Sequence, residues 1–285
     1  MTPANSMKSE AEPTGQTKPA AAGSSFYTAM RILPPAQREG MYRVYAFCRA
    51  VDDIADEGGT RAERTAGLAK WRADIERLYA DGGVTERTAA LAVPVTQFDL
   101  RKADFLAVID GMAIDATSDV CAPDWATLDD YCDKVASAVG RLSVRIFGID
   151  EANGIELAHH LGRALQLTNI LRDIDEDAGI NRLYLPREAL EQAGIRHTSI
   201  AEVIAHPQLD SAARAVAGRA ANHFAQARAV MARCRRRTTR SPRLMAAVYG
   251  AMLDKLLVRG WRPPRPAVRH SKHQVLWAVL RHGFF

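Results

Sequence analysis

Apolar residues recur three and four positions apart along most of this chain, the spacing that lines one face of a helix. No stretch alternates apolar and polar residues long enough to make a convincing strand. Prolines, glycines and capping residues divide the pattern into helices. A short helix capped by Ser24 or Ser25 stops at Pro34. Pro35 opens the next, which runs to Glu57 and ends at Gly58-Gly59. Thr60 caps a helix to about Tyr79 with Leu68, Trp71, Ile75 and Leu78 as its apolar stripe. Further helices are predicted over 85–98 (with Pro94 as a kink or stop), 101–117, 127–147, 153–177, 187–193, 199–205, 209–236, 242–259 and 272–282. The fold class is all-α.

Two of these helices carry acidic stretches of matching design. Asp52 and Asp56 lie four residues apart, and so do Asp173 and Asp177. In a helix each pair shares a face, roughly 6 Å apart along the axis. Like charges at that spacing repel unless something cationic sits between them. A solvated acidic face is the ordinary alternative for one such pair. Here both pairs sit in apolar surroundings: Val44, Phe47, Val51 and Ile54 around the first, Leu165, Leu167, Ile170 and Leu171 before the second. Each also has an arginine just upstream, Arg49 and Arg172. Buried carboxylates need partners. Carboxylate oxygens suit magnesium, which commonly bridges them to a substrate phosphate. Gln166, Asn169, Asp173 and Asp177 are spaced by three, four and four, which predicts one common face, with the amide of Asn169 adding a neutral oxygen to the row.

Composition narrows the picture. The chain has 285 residues, 47% of them hydrophobic, enough for a sizeable core. A net charge of +5 suits an anionic substrate or surface. Its four cysteines (48, 121, 132, 234) lack metal or redox spacing and read as reduced thiols. Residues 1–22 have the composition of a disordered tail, with no apolar run for a signal peptide. No stretch approaches the roughly 20 apolar residues of a membrane span. There is no dinucleotide fingerprint, P-loop or nucleophile–base signature. The basic run from Arg233 to Arg240 has no interleaved aromatics and reads as a solvated helix end rather than a nucleic-acid site. His159 and His160 have no partner at metal spacing and read as structural. Residues 259–272 read as a Pro-rich basic linker, and 275–280 as an amphipathic segment that docks on the body or rests on a membrane. A basic helical interaction or RNA-binding protein is the reading of another class.

The motifs DDIAD (52–56) and DIDED (173–177) resemble the two aspartate-rich motifs of the squalene and phytoene synthases, head-to-head prenyl transferases. Ser24-Ser25-Phe26-Tyr27, the stretch Asp110 to Asp115, the stretch Tyr131 to Gly140, and Arg182 to Pro186 match as well, in the family's order, over about residues 23–285. The likeness is greatest to bacterial members that make presqualene diphosphate for hopanoids. It implies one helical bundle of ten or more helices around a central cavity. It also implies magnesium, with manganese as the alternative ion, held by Asp52, Asp56, Asn169, Asp173 and Asp177. Ser24, Ser25, Tyr45, Arg49, Tyr131, Gln166, Arg172, Arg182 and Tyr249 become substrate-binding candidates, with Tyr45, Arg49 and the four aspartates as the catalytic set. Small residues in Val135 to Gly140 allow tight helix packing, and in such a family they also leave room for an isoprenoid tail. The implied reaction couples two farnesyl diphosphates with release of diphosphate. Phytoene or dehydrosqualene synthesis is the alternative. The likeness of 24–35 and 173–188 to the non-reducing bacterial enzymes implies no NADPH, and a product handed to a separate enzyme. A cytoplasmic location is expected, peripheral at the inner face of the membrane if the C-terminal segment rests there.

Overall fold

A computed structural model describes residues 29–269 apart from Gly58, Asp81, His197 and Thr198. The expected tail over 1–22, Ser24, Ser25 and the C-terminal helix over 272–282 lie outside the described residues. Among the described residues the regular structure is helical, with one isolated bridge between Cys121 and Leu183. In chain order the helices are α1 (Pro35–Glu57), α2 (Arg61–Ala80), α3 (Ala89–Gln97), α4 (Lys102–Thr117), α5 (Trp125–Cys132), a π-helical turn (Asp133–Ser137), and α6 (Ala138–Phe147). Then follow α7 (Glu151–Arg172), α8 (Ile174–Gly179), α9 (Arg187–Gln192), α10 (Ile200–Ala205), α11 (Leu209–Arg233) and α12 (Arg240–Arg259). None is long and apolar enough to cross a membrane.

Local chemistry sets the helix starts. Thr60 and Glu63 form a capping box: the Thr60 amide donates to Glu63 at 2.8 Å and the Glu63 amide to the Thr60 hydroxyl at 3.3 Å. Asp124 accepts from the Thr127 amide at 2.8 Å, so α5 starts two residues before the expected Thr127. Pro94 ends nothing: α3 continues three residues beyond it, and the segment before Ala89 is turn rather than helix.

α7 lies in the middle of the molecule, packed on α11, α6, α12, α5 and the π turn, while α4 packs on α1, α2, α6 and the π turn. α1 buries Met41, Val44, Phe47, Val51 and Ala55, three to four residues apart. Phe47 meets Trp71 of α2 and Phe105 of α4 edge-on, at ring separations of 5.4 and 5.1 Å, and so ties three helices at one point. Close approach of α7 needs its glycine. A Cβ on Gly162 would stand 2.7 Å from the Ser137 backbone, nearer than any side chain tolerates.

Three expectations change. The helix predicted over 127–147 is interrupted by the π turn at 133–137. Arg163, 5% exposed, reaches into that turn and bonds to Asp129 at 2.7 and 2.8 Å, Asp133 at 3.0 Å and Ser137 at 3.0 Å. A guanidinium buried so deeply must have its donors met, and the widened turn brings these acceptors around it. The helix predicted over 153–177 stops at Arg172; Asp173 adopts φ −101°, ψ 15°, and α8 starts afresh. Residues 259–269 are no free linker. Trp261 is fully buried and its indole N–H donates to the Leu171 carbonyl at 2.8 Å. Arg265 pairs with Asp175 and donates to the Ile204 carbonyl at 2.9 Å. An indole removed from water and a guanidinium with its donors met both favour docking over a solvated strand.

Candidate active site

α1 and α7 border one opening, with Asp52 of the first acidic motif and Asn169, just before the second, among its walls. Tyr45, Cys48, Arg49 and Asp52 of α1 line a cavity of about 370 Å³ together with Asn169 of α7 and Tyr249 of α12. A second, apolar cavity of about 220 Å³ is walled by Leu161, Gly162, Leu165 and Gln166 among others. The two spaces share Met41, Val135, Val139, Asn169 and Tyr249 as common walls. The small-residue strip packs closely on α7 and borders the apolar cavity. Gly140 would place a Cβ 3.1 Å from Ala158, so it permits close packing, and Val135, Ala136, Val139 and Gly140 also face the apolar cavity.

Arginines and aspartates interleave at the opening. Arg49 donates to Asp52 at 2.6 Å and to Asp53 at 2.5 Å, within one turn of α1. Arg172 grips its neighbour Asp173 through two bonds of 2.6 Å and is also bonded to Tyr249. Adjacent residues of a regular helix diverge, so this bidentate pair goes with the backbone break at Asp173. Arg182, in the segment after α8, crosses to α1, bonding Asp56 at 3.3 Å and the Asp115 carbonyl at 3.0 Å. It shares a small cleft with Asp177 and Tyr184. Arg182 thus joins the first motif to the second across 126 residues of chain.

The acids here are held under electrostatic load. Burial, then the charge of Asp56, raises the pKa of Asp52 to about 6 against the pull of Arg49. Burial, then Asp173, raises that of Asp177 to about 7. Asp115 is also raised, chiefly by burial. It accepts from the Tyr131 hydroxyl at 2.9 Å and from Tyr184 at 2.7 Å, and those two rings stack at 5.0 Å. Burial pushes the Cys48 thiol up to about 12, so it stays protonated beside the opening.

Gln166 and Asn169 line the apolar cavity and Asp177 the cleft with Arg182. Across the bend at Asp173 the four-residue spacing is kept by backbone bonds, the Asp173 amide donating to the Asn169 carbonyl at 2.9 Å and the Asp177 amide to the Asp173 carbonyl at 2.8 Å. Tyr131 lines neither of the two large cavities and is 7% exposed, bonded to Asp115. Asp175, inside the second motif, turns away to Arg265. Ser24 and Ser25 lie outside the described residues. Sequence reasoning passed over Tyr184, Trp261, Arg163 and Arg265, whose partners are all distant in the chain.

Asn169 tests whether a divalent cation fits. Its Oδ1 is buried and without a hydrogen-bond partner. Buried polar atoms seldom stay so. A lone carbonyl oxygen near crowded carboxylates is a donor set for a hard divalent ion. Among the described residues these acidic groups do not close into a compact ligand set by themselves. Arginines are spaced between them, as mutual repulsion requires.

Known proteins resemble this chain. A presqualene diphosphate synthase of Zymomonas mobilis is 54% identical over 262 residues, covering 92% of this chain and 89% of that one. A 15-cis-phytoene synthase of Paracoccus sp. is 40% identical over 60% of this chain and 59% of that one. The solved structure of a squalene synthase from Alicyclobacillus acidocaldarius has 29% identity and a TM-score of 0.77, covering 85% of this chain and 92% of that one. Residues 20–274 match the family described as squalene/phytoene synthase, and this chain belongs to it.

Proposed function

We propose that this prenyltransferase joins two farnesyl diphosphates head to head, releases one diphosphate and stops at presqualene diphosphate. The observation that carries the reading is the junction at Asn169 and Tyr249, where a charged opening meets an apolar cavity. It accords with 54% identity to a presqualene diphosphate synthase over nearly the whole chain, against a match of only 60% of the chain to a phytoene synthase.

Asp52, Asp56, Asn169, Asp173 and Asp177 would hold magnesium, with manganese as substitute. When bound, magnesium supplies Lewis-acid charge to the departing diphosphate. Arg49, Arg172 and Arg182, now engaged with aspartates, offer paired N–H donors to diphosphate oxygens. The allylic carbon–oxygen bond of one substrate breaks and its electron pair leaves on the diphosphate. The allylic carbon then bonds to the alkene of the second substrate, which keeps its own diphosphate. Loss of a proton closes the cyclopropane. A tyrosine or the released diphosphate takes that proton. Val135, Val139, Leu161 and Leu165 keep water from the cation, which water would trap as an alcohol.

Residues 23–285 carry the activity as one domain, so removing 1–22 leaves turnover intact. The product passes to a separate enzyme, and the C-terminal segment rests on the membrane where such lipids collect. The deciding experiment incubates purified protein with farnesyl diphosphate and magnesium, with and without NADPH, and identifies products. Presqualene diphosphate in both arms is expected. Squalene in the NADPH arm, or faster phytoene formation from geranylgeranyl diphosphate, overturns the reading.

A further inference from the structure

Three of the chain's eight histidines meet on the far side of α7 from the apolar cavity wall. His159 and His160 come from α7 and His223 from α11, two from one helix of the central packed pair and one from the other. One ring nitrogen from each lies within 4.8 Å of the others. The Nδ1 atoms of His160 and His223 approach to 3.0 Å. His159 meets His160 edge-on, with ring centroids 4.8 Å apart, and stands 5.9 Å from His223. All three are half-buried, so an ion can arrive from solvent and retain a water.

We infer that His159, His160 and His223 form a binding site for a borderline divalent transition ion of the zinc, cobalt or nickel class, bracing α7 against α11. The chemistry differs from that of the carboxylate opening. Neutral imidazole nitrogens suit zinc and its neighbours and hold magnesium poorly. Three imidazoles at zinc–nitrogen lengths of about 2.0–2.1 Å in a tetrahedron would place their nitrogens about 3.4 Å apart. The observed span, from 3.0 Å up to 4.8 Å, brackets that figure. Two facing Nδ1 atoms share at most one proton, and the cation takes its place. The nearest fixed cation, Arg163, does not stand unpaired beside the site: Asp129 and Asp133 hold its guanidinium. Neither the ion nor its ligands touch the proposed reaction, so the site acts on the stability of the helix pair.

The test uses the full chain with magnesium in excess, so that the carboxylates are occupied. Cobalt is added as a spectroscopic probe. One equivalent should give the visible absorption of a tetrahedral nitrogen–oxygen site without thiolate charge transfer, and zinc should displace it. Zinc should bind with one-to-one stoichiometry and raise the melting temperature. His223→Ala and His160→Gln should each weaken zinc binding at least ~10-fold while leaving farnesyl diphosphate turnover unchanged. No cobalt spectrum in the wild-type protein, a thiolate band, or unchanged zinc affinity in a folded variant overturns the inference. The wild-type spectrum decides it should either variant fail to fold.

Discussion

The two acidic motifs share a four-residue spacing and are held in different ways. Asp52 and Asp56 ride on an uninterrupted helix, and Arg49 reaches its acids within a single turn. Beyond its own helix and the packing beneath it, that half takes one bond from afar, Arg182 to Asp56. Asp173 and Asp177 flank a backbone break, Arg172 binds its immediate neighbour, and Asp175 is drawn outward by Arg265. Behind the break, the Leu171 carbonyl accepts from Trp261. One half is rigid by local regularity and the other by a distant prop. Similar spacing in sequence thus conceals different dependence on the rest of the chain.

The comparison makes the prop the most sensitive point. Trp261→Ala removes a fully buried indole and its bond to Leu171. It should cost about 3–5 kcal/mol in urea unfolding and lower turnover per folded molecule. Unchanged turnover in the folded fraction would mean that the second half stands without its backing. Next in size is the aspartate exchange. Asp52→Asn and Asp173→Asn should each reduce turnover by at least ~10²-fold at saturating magnesium. Comparable losses from both sides would mark one shared site. A folded variant of either kind with a near-wild-type rate would separate them.

A smaller effect is expected in pH dependence. Asp52 and Asp177 have folded-state pKa values raised to about 6 and about 7 from 3.8. A raised carboxyl binds more protons folded than unfolded, so stability falls as pH rises through that window. Without divalent ion the melting temperature should therefore decline between about pH 4 and pH 7, and magnesium should recover much of the loss at pH 8. A melting temperature that rises over that window in magnesium-free buffer would contradict the placement of these acids. The smallest effects belong to acids facing elsewhere. Asp53→Asn should leave turnover within about twofold, and so should Asp175→Asn, although taking the charge partner from the buried Arg265 should cost about 1–3 kcal/mol of stability. A large loss from either would redraw which carboxylates face the opening.

Much of this was legible in the residues. Periodicity placed α1, α2 and α4 closely, and Thr60 was legible as the cap of α2, because those features depend on neighbours along the chain. The paired aspartates were visible for the same reason. What stayed hidden depends on partners far away. The π turn forms around Arg163, more than two dozen residues later, and the break at Asp173 goes with a pairing that regular helix geometry disfavours. His159 and His160 seemed unpartnered because His223 lies 63 residues downstream of His160. Arg259 to Lys272 reads as a linker by composition, since proline and arginine are common in exposed segments, yet one tryptophan within it outweighs that bias.

The bond between Trp261 and Leu171 also sets an order of events during synthesis. Proteins begin to fold while still emerging from the ribosome. The first motif can settle on its own helix early, whereas the second waits for the translation of another 90 residues beyond Leu171. A nascent chain released just short of residue 261 would carry both acidic motifs in full. It would nonetheless lack the buttress under half of its chemistry. For this protein, an inventory of motifs and a competent molecule part company at a single late tryptophan.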